Sequence, residues 1–204
     1  MQKEKNKETN ISGLKSNGNG QTVQNPYSYQ KLSIKVTLTA IFTALAIGSS
    51  YILAPLINIE VMSVLLFIAG FLYGKFIGSF VGLLSSLIYY GWNPFGVSPL
   101  PIYLVCVGCM TFIGLVGGLL KPAQFSGYKL EANRSNIAKI ALIGFLYTIL
   151  FDLFTNIVFG LIYYGGNILL AFITGFPFMI IHIVSNTILF ALLVLPIYNA
   201  VARL

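Results

Sequence analysis

Four polar residues interrupt the apolar second half of the chain: Asp152 with Asn156, and His182 with Asn186. Each pair is spaced i, i+4, which on a helix stacks both members on one face. A carboxylate, the chain's one histidine and two amides suit three kinds of chemistry: holding a polar small molecule, relaying a proton, or general-base catalysis at the imidazole. An ionisable side chain at membrane depth costs about 2.5–3.5 kcal/mol on insertion scales, so it is retained where it faces a partner, a cavity or a ligand. Asp152 and His182 can equally answer one another as a buried pair, and the spacing alone leaves both readings open.

The motifs that would accompany catalysis are missing. The sequence holds no His-Glu-x-x-His, no Gly-x-Ser-x-Gly and no Gly-x4-Gly-Lys-Ser/Thr. Cys106 and Cys109 are spaced Cys-x-x-Cys, but within an apolar stretch and without a second Cys or His cluster. They read as small polarisable packing residues, not as a redox pair or zinc site. No enzyme activity, metal or cofactor is expected.

The elements that position these residues follow from composition. Of 204 residues 57% are hydrophobic and only 8% charged, more apolar than a soluble domain can carry. The expected class is an all-α integral membrane protein. Residues 1–31 are rich in Lys, Asn, Gly, Ser and Gln and read as a disordered polar tail. Residues 32–204 read as a compact bundle of six membrane helices, at about 34–54, 60–73, 75–92, 100–120, 137–160 and 177–200. Pro177 fits a first helical turn, which makes 161–176 a connection.

Orientation follows from the 12 basic residues. Lys3, Lys5, Lys7, Lys15, Lys31 and Lys35 precede the first span. Lys75 lies between the second and third, Lys121, Lys129, Arg134 and Lys139 between the fourth and fifth, and Arg203 after the last. Six spans with both termini cytoplasmic place all of them inside. The net charge of +7 is thereby explained by topology and anionic inner-leaflet lipid, without nucleic acid. Ala44-Leu45-Ala46 resembles a signal cleavage site, but the apolar run continues to Leu53 and a long polar stretch precedes it, so it reads as part of the first span.

This topology puts Asp152, Asn156, His182 and Asn186 at comparable depth in the outer halves of the last two spans. They are expected to line one outward-facing cavity with polar and aromatic groups from the outer connections: Asn58, Glu60, Tyr89, Tyr90, Trp92, Asn93, Tyr163, Tyr164 and Asn167. Trp92 and the tyrosines equally suit an interfacial aromatic belt. Elsewhere small residues recur four apart, Ala40 and Ala44 in the first span, Gly74, Gly78 and Gly82 in the third, Gly114 and Gly118 in the fourth. Such spacing lets helices approach closely in lipid.

The ordered set of features, Ala40-x-x-x-Ala44, Asn58-Ile59-Glu60, Asn93-Pro94-Phe95-Gly96, Asp152-x-x-Thr155-Asn156 and His182-x-x-x-Asn186, resembles the substrate-binding S components of energy-coupling factor (ECF) transporters over residues 32–204. The resemblance implies capture of a vitamin or related small molecule from outside. Delivery would follow through association with a membrane T component and two ATPase subunits. Ala40 and Ala44 inherit the face that docks on the T component. The chain begins Met1-Gln2-Lys3, which argues against the metal-specific branch with His after the initiator Met. The competing reading is a stand-alone proton-coupled secondary transporter relaying protons through Asp152 and His182, against which stands the lack of a visible internal repeat.

Overall fold

The computed structural model describes residues 14–16, 22–24, 26–120, 130 and 132–201. The chain divides into two units, residues 1–38 and 39–204. In the first, β1 (Leu14–Ser16) pairs antiparallel with β2 (Thr22–Gln24), Leu14 opposite Gln24. These strands fall inside the stretch expected to be disordered; residues 1–13, 17–21 and 25 of that stretch lie outside the described residues. Helix α1 runs Pro26–Leu53, starting earlier than the apolar pattern indicates. Pro26 opens it, where a fixed φ and a missing N–H are no handicap.

The remaining helices are α2 (Met62–Tyr73), α3 (Lys75–Gly91), α4 (Leu100–Leu119), α5 (Arg134–Tyr163) and α6 (Ile168–Val201). Among the described residues four helical stretches are long and apolar enough to cross a membrane: Leu32–Leu53 and the whole of α4, α5 and α6. The shorter α2 is apolar on every side and nearly all of it is buried, as expected of a helix enclosed by others. Phe67, Leu66, Ile68 and Leu72 form the centre of the core with Phe190, Leu195 and Tyr198 of α6.

Glycines set the tightest seam. A β-carbon on Gly70 or Gly78 would land on the carbonyl oxygen of Gly114, and one on Gly114 would land on that of Gly78. Helices α2, α3 and α4 therefore meet backbone to backbone, the close van der Waals packing that holds helices together where lipid removes the hydrophobic drive. Gly74, at φ +97°, makes the turn between α2 and α3.

The connection expected at 161–176 is much shorter. Helix α5 continues to Tyr163 and α6 begins at Ile168. Gly165 and Gly166 take positive φ to reverse the chain, and the Asn167 side chain accepts a hydrogen bond from the Leu170 backbone N–H at 3.0 Å. Asn167 thus supplies the helix start that Pro177 was expected to mark. Pro177 lies inside α6, as does Pro196. Such interruptions are tolerated in membrane helices whose freed backbone groups find other partners.

Candidate functional site

The site is built on α5 and α6 and closed by the segment joining α1 to α2. On α5, Asp152, Thr155, Asn156 and Phe159 share one face by helical spacing. On α6, Gly175, Phe178, Met179 and His182 do the same. The two faces oppose each other closely: a β-carbon on Gly175 would collide with Asn156 Oδ1. Glycine at this position gives the amide its space.

Asn58 clamps the α1–α2 segment down on α6. Its side-chain amide donates to the Phe178 carbonyl at 2.7 Å, and its own carbonyl accepts from Ser185 Oγ at 2.8 Å. Its φ of +57° is a left-handed conformation that asparagine adopts more readily than most residues. The clamp carries Glu60 toward His182, with 3.7 Å between Oε1 and Nε2.

Asp152 and His182 are each only 6% exposed, and Asp152 Oδ1 lies 2.8 Å from His182 Nδ1. On its other side the imidazole faces the Asn186 amide nitrogen, 3.1 Å from Nε2. That amide also donates to Thr148 Oγ1 at 3.1 Å, while Asn186 Oδ1 accepts from Ser63 Oγ at 3.4 Å. An imidazole with its proton on Nδ1, donating to Asp152 and accepting at Nε2, satisfies this arrangement. The network ties α5, α6 and α2 together. Two buried carboxylate oxygens beside it, Asp152 Oδ2 and Glu60 Oε1, have no hydrogen-bond partner among the described residues.

These groups border a cavity of about 690 Å³, within the range of small-molecule sites. Asn58, Glu60, Asp152, Asn156 and His182 all line it. Asn186 does not; it is fully buried behind His182. Trp92, Asn93 and Tyr163 also lie outside the lining. Trp92 is 74% exposed, while its backbone carbonyl accepts from the Tyr51 hydroxyl. Asn93 organises a turn, its Oδ1 accepting from the Phe95 N–H at 2.8 Å, and Phe95 is the residue of that turn that reaches the cavity. Tyr163 is more than half exposed and packs on Phe159, with ring centroids 4.5 Å apart.

The aromatic walls include Phe95, from the Asn93–Gly96 motif, and three residues the sequence pattern did not single out: Phe151, Phe159 and Phe178. Phe159 lies one i+7 step from Asp152, so extending the polar face of α5 by helical spacing finds it. Gly175 was hidden because its segment read as a connection, whereas Phe178 fell in the expected last span without a polar signal to mark it.

A helical membrane protein with an aromatic-walled cavity bordered by a few polar groups belongs to the class of membrane proteins that handle small molecules. A family model described as the S component of the ECF-type riboflavin transporter matches residues 31–202, and the chain belongs to that family. S components are the substrate-binding subunits of transporters and not enzymes. Comparison with curated proteins and with solved structures returned no match.

Proposed function

We propose that this protein captures riboflavin or a closely related vitamin from the outer side of the cell membrane in the cavity between α5 and α6, for delivery through a T component and two ATPase subunits. The observation that carries the reading is the 690 Å³ cavity, where aromatic walls meet Asn58, Glu60, Asp152, Asn156 and His182 within a chain of the riboflavin S-component family. Aromatic walls suit a fused-ring system, and amide and carboxylate acceptors suit its N–H and hydroxyl donors. Asn186 acts through His182, holding the imidazole.

In this reading the chain crosses the membrane six times with both termini cytoplasmic, α2 and α3 supplying the two shorter crossings. The arrangement keeps all basic residues on the inner side and turns the Tyr164–Asn167 and Asn58–Glu60 connections outward, around the cavity mouth. The docking face for the T component is Ala40 and Ala44. Both are exposed on α1, in line with Gly48, whose β-carbon position meets nothing within 4 Å.

The test is mass spectrometry of small molecules retained by the purified protein, combined with docking variants. A flavin is expected in the retained fraction. Ala40→Trp with Ala44→Trp is expected to keep that ligand but lose assembly with the T component and all uptake. A retained compound with no ring system, or uptake that survives both tryptophans, contradicts the proposal.

A further inference from the structure

A second hollow opens on the outside of the bundle between α4 and α5. It measures about 430 Å³ and is lined by Val105, Gly108, Cys109, Phe112, Leu150 and Phe154. Gly108 makes the notch, since a β-carbon there meets nothing within 4 Å. Phe112 and Phe154 flank it, both turned outward. The hollow is separate from the ligand cavity: Cys109 faces it, whereas Cys106 faces the cavity on another side of α4. Both helices are long and apolar enough to cross a membrane, so the medium around this hollow is lipid hydrocarbon.

One charged residue lies in register with it. Lys139 shares a face of α5 with Leu150, about three turns toward the helix start, and Leu142 and Leu146 are exposed between them. At 1.5 Å rise per residue the separation is about 16 Å, close to one leaflet of a hydrocarbon core about 30 Å thick. Lys139 is itself exposed, and among the described residues no carboxylate pairs with it; Asp152 and Glu60 both face His182. A cation at headgroup level and an apolar notch one leaflet deeper match the two ends of a single lipid chain.

We propose that the α4–α5 hollow binds one anionic phospholipid, its phosphate held by Lys139 and one acyl chain lying along Leu142, Leu146 and Leu150 to end against Gly108. The notch selects for a chain because among the described residues no side chain fills it, and the exposed lysine selects for a net negative headgroup over a zwitterionic one.

The test is native mass spectrometry of the full chain in mild detergent with added phosphatidylglycerol or phosphatidylcholine. The wild type is expected to retain one lipid and to favour phosphatidylglycerol about fivefold, the worth of one lysine near an anionic surface. Gly108→Phe, which fills the notch from the lipid side, is expected to lose the retained lipid while melting no lower than wild type. Lys139→Gln is expected to keep a lipid but lose the headgroup preference. Equal lipid retention in Gly108→Phe overturns the site, as does an unchanged preference in Lys139→Gln. A dimer of the wild type that Gly108→Phe dissociates, with lipid binding unaltered, assigns the hollow to a second copy of the chain and overturns it too.

Discussion

Where α3 meets α4, Gly78 and Gly114 bring backbone against backbone with no room for a methyl group. Where α5 meets α6 toward their joined ends, Asp152, Asn156 and His182 stand around a cavity of about 690 Å³. Both regions are pairs of neighbouring helices in one bundle, but they answer lipid differently. The glycine seam gains stability from close contact, which is the main source of helix association in a bilayer. The polar face gives up such contact and holds ionisable groups that cost free energy to bury. Beside it two buried carboxylate oxygens, Asp152 Oδ2 and Glu60 Oε1, make no hydrogen bond among the described residues; in the proposed function the donors of a bound ligand answer them.

Substitutions that treat the two regions alike should therefore separate them. The largest effect is expected at the seam. Gly114→Leu forces α4 away from α3 against a backbone carbonyl, with a cost of about 3 kcal/mol or more for such overpacking. The expected outcome is loss of the monodisperse peak in size-exclusion chromatography and no recoverable binding. A folded Gly114→Leu protein would show that the seam is looser than the helix approach indicates.

Next comes the centre of the cavity. Asp152→Ala leaves His182 Nδ1 without its acceptor, and losing one partner of a buried polar contact costs about 1–3 kcal/mol. Ligand affinity is expected to fall about ten- to a hundredfold in titrations, with a smaller change in melting temperature. His182→Ala should behave in the same way. If melting falls steeply while affinity holds, Asp152 and His182 serve only each other.

A smaller effect is expected at the clamp. Asn58→Ala loses the bond to Phe178 and places alanine in a left-handed conformation costing roughly 1–2 kcal/mol. The segment carrying Glu60 then holds less firmly, and stopped-flow measurements should show about tenfold faster ligand release. Trp92→Ala is the smallest, about twofold or less in affinity, because the ring is exposed outside the cavity lining. A loss comparable to that of Asp152→Ala would move the ligand out toward the α3–α4 connection.

The seam was the more legible of the two regions. Gly74, Gly78, Gly82, Gly114 and Gly118 recur at helical spacing, and α2, α3 and α4 begin and end within two residues of the apolar segments. Local pattern suffices there because packing follows from which face is small. The cavity was legible in its centre, where Asp152, Asn156, Glu60, Asn58 and His182 come together. Its rim was legible only in part, through Tyr89, Tyr90 and Tyr164. Pro177 carried a helix-start signal that the Gly165-Gly166 turn and the Asn167 cap override, so the first turns of α6, which bear Thr174 and Gly175, were read as a connection. Trp92, Asn93 and Tyr163 sit at the correct end of their helices, but side-chain direction, which sequence depth does not give, turns them away from the lining.

The most direct measurement is a riboflavin titration of the purified wild-type chain beside Asp152→Ala, followed by quenching of flavin fluorescence. Saturable one-to-one binding by the wild type, weakened at least about tenfold in the variant, is the predicted result. No saturable binding by a folded wild-type protein, or equal affinity in both, would contradict the assignment of the α5–α6 cavity as the capture site.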